Sequence, residues 1–252
     1  MISQTPRTAS TLGKRAADAA RDLSQEVARM DFANFVPWVY NPLEYAWSAH
    51  RQYLLRFVRP SCKVLFLGMN PGPWGMAQTG VPFGEVAAVK GWLGISASIG
   101  RPEKEHPLRP VQGLDCPRSE VSGQRLWGLF SQRFGSPEAY FQRHFVANYC
   151  PLVFMEQSAR NVTPDKLPAI AREPLERACD KHLSNLLRLL RPKWMIGVGA
   201  WSEACGRRVL DCNDDLAGIQ LGRILHPSPA SPAANRDWAG TVTRQLESLG
   251  VW

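Results

Sequence analysis

The chain has 252 residues, 44% hydrophobic and 21% charged, with 30 basic against 22 acidic side chains and a formal charge of +8. That length and balance suit one large soluble domain with a buried core, and no run approaches about 18 uninterrupted apolar residues, which argues against a membrane-spanning helix. The positive charge favours a polyanionic partner such as nucleic acid, and six cysteines without a C-x-x-C pair argue against a thiolate metal or iron–sulfur centre.

Residues 10–31 predict a polar helix with Ala16, Ala19, Leu23, Val27 and Met30 on one stripe. Arg15, Asp18, Arg21 and Asp22 interrupt any secretory pattern, so the expected home is intracellular, nucleus in a eukaryote or cytoplasm in a bacterium. Asn41-Pro42-Leu43-Glu44 has the cap, first-turn proline and acidic residue of a helix start. That helix runs to about Phe57, with Trp47, Leu54 and Phe57 facing inward. Val64–Met69 is the first of four strand-type apolar runs, followed by His144–Asn148, Trp194–Val198 and Gly222–Leu225. Helical patterns fall between and after them. They are Gly123–Phe134 (Leu126, Leu129, Phe130), Pro174–Leu190 (Leu175, Ala178, Leu186, Leu190), Trp201–Leu210, and Asn235–Leu249 (Trp238, Val242, Leu246, Leu249). Residues 98–121, rich in Pro, Gly and charge, predict a long surface excursion of the kind that is functional or mobile. The alternation predicts an α/β fold in three layers (αβα), with a central four-stranded parallel sheet covered on both faces.

Two junctions stand where such a sheet binds ligands, beyond the carboxyl ends of its strands. The first is Gly68-Met69-Asn70-Pro71-Gly72-Pro73-Trp74-Gly75-Met76-Ala77-Gln78-Thr79-Gly80-Val81-Pro82-Phe83-Gly84-Glu85, and the second is His226-Pro227-Ser228-Pro229. Asn70, Asn148 and His226 thus end three different strands, the convergence that a catalytic crevice needs. Taken singly each has a plainer account: asparagine opens turns, and a lone histidine is commonly structural.

Both junctions resemble the two motifs of the single-strand-selective monofunctional uracil-DNA glycosylases. The likeness continues through Tyr40-Asn41-Pro42, Ser119-Glu120-Val121-Ser122-Gly123, Asn148-Tyr149-Cys150-Pro151-Leu152 and Gly197-Val198-Gly199. It covers roughly residues 38–249, so the expected division is an N-terminal helical extension, 1–35, and a uracil-DNA glycosylase-like catalytic domain, 36–252. The resemblance implies a monofunctional glycosylase that flips uracil, and 5-substituted uracils such as 5-hydroxymethyluracil, out of single- or double-stranded DNA. It implies cleavage of the N-glycosidic bond to leave an abasic site, by a monomer with no metal and no cofactor.

Residue by residue, the resemblance implies the following roles. Asn148 reads the base, since one amide can pair with both O4 and N3–H of an extruded uracil. Phe83 is the stacking aromatic, though a phenylalanine is as readily core. Gly72 leaves room at the pyrimidine 5-position, with Met69 and Met76 on the same wall. His226 donates to O2 as charge develops there. Asn70 holds the attacking water, which an amide can orient but not deprotonate. Glu85 is best read as an acceptor that orders the loop. Pro227–Trp238, opening on Pro227, Ser228, Pro229 and Ala230, is the segment that enters the duplex, with Ala230 where the vertebrate pattern carries an arginine. Arg236 is either a phosphate contact or a solvated helix-start charge. Trp74 replaces a more usual phenylalanine. No lysine belongs to either motif, so Schiff-base chemistry is not expected.

Gly197-Val198-Gly199-Ala200-Trp201-Ser202 imitates the opening of a dinucleotide fingerprint. Its third glycine is a serine, and no acidic partner follows about 20 residues on. Tight strand–helix packing is the better reading, which sets aside a nucleotide-binding oxidoreductase. A DNA-binding relative without catalysis remains the other alternative.

Overall fold

Four parallel strands form the centre of the molecule. The computed structural model describes residues 11–252, beginning with a helix, α1 (Thr11–Ala28). A short strand β1 (Trp38–Tyr40) follows, then α2 (Pro42–Tyr45) and α3 (Trp47–Phe57). Asn41 accepts from Leu43 N at 3.2 Å, as its capping chemistry predicts. The helix expected to run unbroken from this cap is interrupted at Ala46 (φ −104°, ψ 22°).

Strand β2 (Val64–Gly68) leads through the first junction into the single turn α4 (Met76–Thr79). Beyond the irregular 98–121 region come α5 (Val121–Phe134), α6 (Pro137–Phe141) and β3 (His144–Asn148). Then follow β4 (Val153–Met155), β5 (Asn161–Val162), α7 (Ala169–Leu190) and β6 (Trp194–Val198). The chain closes with α8 (Ala200–Asp211), β7 (Gln220–Ile224) and α9 (Pro232–Ser248).

The main sheet has the order β3-β2-β6-β7, every neighbour parallel. The chain starts at β2, steps one way to β3, then returns to the other side for β6 and β7. The point where the order reverses lies between β2 and β6, the site where open α/β sheets bind ligands. One face is covered by α3 and α8: Tyr53 packs on Phe145 at 5.2 Å between ring centroids, and a Cβ at Gly206 would meet Met195 and Leu221. The other face carries α5 and α9, with Phe66 against Phe130 at 5.1 Å and Gly222 under Leu249. These are the three layers and four strands expected.

Further features of the fold differ from the sequence reading. A second sheet, β1-β4-β5, is antiparallel; its strands of two or three residues are too short to leave an alternating pattern. Helix α7 begins five residues before Pro174, which sits in its second turn and gives up the amide bond to the Ile170 carbonyl. Helix α9 begins at Pro232 under a Ser231 cap and kinks at Asp237, whose Oδ1 accepts from Gly240 N at 2.9 Å.

Helix α1 packs chiefly on α7 and α3. Its Ala16, Ala20, Leu23 and Val27 lie in the same buried cluster as Leu65 and Phe66. The boundary drawn near residue 35 therefore marks the limit of the motif likeness, not the limit of a core. The 98–121 region is not purely superficial either, since His106, Val111 and Cys116 are buried. Among the described residues no helix is long and apolar enough to cross a membrane.

Candidate active site

Parallel register sets the site's geometry. Gly68 pairs with Asn148, and Val198 with Ile224, so all four strand ends finish at one edge. Pairing continues past the strands: Tyr149 N donates to Gly68 O at 2.9 Å, Cys150 N to Met69 O at 2.8 Å, and Gly199 N to Ile224 O at 2.9 Å. Side chains alternate along a strand, so Gly68, Asn148 and Ile224 share the face covered by α5 and α9. Asn70 and His226 each follow two residues after a member of that row.

The amide of Asn70 donates through Nδ2 to Leu152 O at 3.2 Å. A carbonyl can only accept, so this bond fixes the amide and leaves Oδ1 as a free acceptor. Asn148 Nδ2 contacts Met76 Sδ at 3.3 Å. Thioether sulfur is a weak acceptor and never a donor, so it too favours one orientation of the amide. A side chain at Gly68 would collide with both Asn148 Oδ1 and the Phe83 ring. The glycine is what lets the two converge.

Phe83 is buried, yet its backbone is left-handed at φ 52°. A bulky residue holds that conformation only when its surroundings enforce it, and such strain gathers at functional sites. Its carbonyl accepts from Glu85 N at 2.7 Å and lies where a Cβ on Gly123 would stand. The ring centroid is 6.4 Å from that of His226. Glu85 is buried, and its Oε2 accepts from Ala88 N at 2.8 Å, a loop-ordering contact.

His226 is fixed from both sides. Before it, Leu225 N donates to Gln245 Oε1 at 2.9 Å, and Trp238 Nε1 donates to Leu225 O at 2.8 Å. After it, Arg125 Nη1 donates to the carbonyls of Pro227 at 3.1 Å and Ser228 at 3.4 Å, and Nη2 donates to Asn235 Oδ1 at 2.8 Å. Gly199 (φ 92°) stands beneath, where a Cβ would lie 3.2 Å from that of His226. Burial lowers the imidazole pKa below its usual value, which favours the neutral ring near pH 7. The Gly197–Ser202 segment therefore serves close packing: a Cβ at Gly197 would strike the backbone of Glu203.

Of the segment after the histidine, Pro229 and Ala230 are exposed and Ser228 is half-buried. Pro227 is buried, so its ring is not available at the surface and it acts through its bonded carbonyl. Arg236 is exposed on α9. Met76 is buried against Asn148, and Met69 is half-buried beside Asn70.

At Gly72 the structure departs from the sequence reading. The space expected to be open holds the Glu120 carboxylate, which a Cβ there would strike. Glu120, Arg125 and Gln78 are the site residues that motif reading passed over. Gln78 gives Nε2 to Pro73 O and Pro110 O, both at 3.0 Å, and accepts from Gln112 N at 2.8 Å, tying the 98–121 region to the first junction. Glu120 lies inside a quoted motif, but nothing in sequence told which way it points. The guanidinium groups of Arg109 and Arg118 lie over the Trp74 ring, 5.1 and 4.9 Å from its centroid. Among the described residues no cluster of His, Cys, Asp or Glu could hold a metal ion.

Residues 55–246 match the model of the uracil DNA glycosylase superfamily. The single-strand selective monofunctional uracil DNA glycosylase of Bos taurus is 48% identical over 229 residues, 91% of this chain and 84% of that protein. The Rattus norvegicus protein of the same description is 48% identical over 233 residues, 91% of this chain and 82% of its own. Among solved structures, the crystal structure of Pedobacter heparinus SMUG2 aligns with a TM-score of 0.59 at 14% identity, over 90% of this chain and 97% of that one. That likeness carries the fold.

Proposed function

The chain belongs to the uracil DNA glycosylase superfamily, in its single-strand selective monofunctional family, and from that premise we propose that it hydrolyses the N-glycosidic bond of uracil in DNA. The observation that supports this most is the convergence of Asn70, Asn148, Phe83 and His226 at one edge of the sheet, with both amides held in a defined orientation. The substrate is a nucleotide rotated out of single- or double-stranded DNA, since a stacked base cannot reach side chains gathered at a sheet edge. The chain acts as a monomer in base excision repair.

In this reading the base stacks on Phe83, worth about 1–3 kcal/mol irrespective of identity. Asn148 Nδ2 donates to O4 and Oδ1 accepts from N3–H, worth about 1–3 kcal/mol against cytosine, which presents the reverse pattern. As the N1–C1′ bond breaks, its electron pair moves onto the ring and charge gathers at O2. The neutral His226 donates a hydrogen bond there, where stabilisation grows toward the transition state. The Asn70 Oδ1 accepts one O–H of a water and so aims its lone pair at the oxocarbenium carbon. Water oxygen bonds to C1′, and the released proton neutralises the uracil anion. None of the residues assigned to this centre is an amine, so the reaction stops at an abasic site without strand cleavage. Uracils carrying a 5-substituent, including 5-hydroxymethyluracil, are within the proposed range. Pro229 and Ala230 meet the vacated base step and Arg236 a phosphate.

The test is incubation with uracil-containing single- and double-stranded oligonucleotides, reading free uracil and alkali-labile sites. Release with an intact strand before alkali is expected. No release from either substrate would favour a protein that binds extruded bases without cleaving them.

A further inference from the structure

Two glycines of the loop after β2 direct their missing side chains at one carboxyl group. A Cβ on Gly72 would collide with Glu120 Oε2, and one on Gly75 would stand 2.6 Å from Cδ and both oxygens of Glu120. Real Cβ atoms do not approach so closely. A side chain at either position would have to displace the Glu120 carboxyl group that fills the slot between them. Glu120 immediately precedes α5; the residue is half-buried, but its Oε2 is sealed from solvent. Burial pushes its pKa up to about 7, against the N–H groups of Gly75 and Trp74 and together with the nearby Glu85 carboxylate. Arg109 and Arg118 lie over the Trp74 ring of the same turn.

Where the slot stands relative to a pyrimidine follows from the ring itself. With Asn148 on O4 and N3–H and His226 on O2, C5 lies beyond O4, on the side away from His226. The Asn148 Nδ2 that serves O4 touches Met76 Sδ at 3.3 Å. Met76 opens α4, whose Ala77 N donates back to Gly72 O at 3.2 Å. The wall facing C5 is thus the Gly72–Met76 turn, and the group built into its hollow is the Glu120 carboxyl.

We propose that Glu120 is the positioning residue of that wall: wedged between Gly72 and Gly75, its carboxyl group holds the turn in place and sets how large a substituent on C5 the site admits. The meaning of the wall rests on the glycosylase reading above; the wedge does not. Glycine at 72 alone does not set the size of the space, because a second residue already occupies the volume that a side chain there would take.

The test is a cycle of Gly72→Ala, Glu120→Ala and the double variant in the full chain, read by thermal midpoint and by excision of uracil, thymine and 5-hydroxymethyluracil. Gly72→Ala alone should lower the midpoint and slow uracil release by about tenfold or more, as small displacements near the chemistry do. Adding Glu120→Ala should restore most of both losses. Glu120→Ala alone should raise kcat/KM for the 5-substituted bases relative to uracil by about fivefold or more, the scale of one methylene in a pocket. The isosteric Glu120→Gln should keep that ratio near wild type. Should Glu120→Ala prove insoluble, Glu120→Ser serves the same comparison. Additive midpoint losses in the double variant would overturn the wedge. An unchanged ratio in Glu120→Ala would overturn the assignment to the C5 wall. Were the wild type to release no base at all, the wall would lose its meaning while the midpoint cycle still decided the wedge.

Discussion

Replacing Arg125 with alanine should slow base release far more than it unfolds the protein. The guanidinium spans α5 and the histidine loop, bonding the carbonyls of Pro227 and Ser228 and the side chain of Asn235 at 3.1, 3.4 and 2.8 Å. Hydrogen bonds to a charged group contribute about 1.5–3 kcal/mol, which at this chain length lowers the melting temperature by roughly 3–12 °C. A donor to a developing oxyanion is worth about 2.7–4 kcal/mol in the barrier. The loop would stay bolted through Leu225 to α9, so His226 should lose part of that value and kcat should fall roughly 10- to 100-fold. The loss should appear equally in kcat and kcat/KM, the signature of an interaction made in the transition state. Arg125→Lys should fall between, because a compact ammonium cannot reproduce the rigid fork of donors on separate nitrogens. Single-turnover uracil release, thermal melts and DNA affinity at two salt concentrations supply the measurements. A kcat within about twofold of wild type beside a lowered melting point would refute the positioning of His226 by Arg125. A salt slope reduced by about one would make Arg125 a phosphate contact instead.

Phe83→Ala should reduce kcat/KM by roughly 5- to 150-fold, the rate equivalent of about 1–3 kcal/mol of stacking; an unchanged value would make the ring a core residue only. The protein should lose stability on acidification. Burial holds His50, His144 and His182 down to about 4 in the fold, so between there and the usual 6.5 the unfolded chain binds the extra protons and stability falls as pH falls. Each contributes at most roughly 3 kcal/mol over that window. Glu120, raised to about 7, acts in the opposite sense between its ordinary 4.5 and 7, one group against these three and the likewise lowered His226. A melting temperature that rose from pH 7 to pH 5 would contradict this accounting. Affinity for DNA should fall linearly on a log–log salt plot, with a slope of about −0.7 to −0.9 per phosphate contacted. A flat plot would contradict the DNA-binding reading.

Much of this was legible because it rests on local pattern. The runs at Val64, His144, Trp194 and Gly222 are short, apolar and separated by helices, and a buried parallel sheet requires that. Asn70, Asn148 and His226 could be singled out because each follows such a run. What stayed hidden depends on side-chain direction across long separations. Arg125 and Pro227 are 102 residues apart, and no spacing rule connects them. Gly72 reads as empty space until Glu120, 48 positions later in the sequence, is seen to occupy it. The left-handed backbone of Phe83 is likewise invisible, since most residues in that region are glycine or asparagine. The edge sheet and the true start of α7 escaped because two- and three-residue strands and an early proline carry weak signals.

The most direct measurement is single-turnover uracil release by the wild type, Asn70→Ala and His226→Leu, with DNA affinity determined in parallel. Each substitution should lower the chemical rate by about 10²–10³-fold or more while binding changes little. Wild-type rates in either variant would contradict the role assigned to that residue.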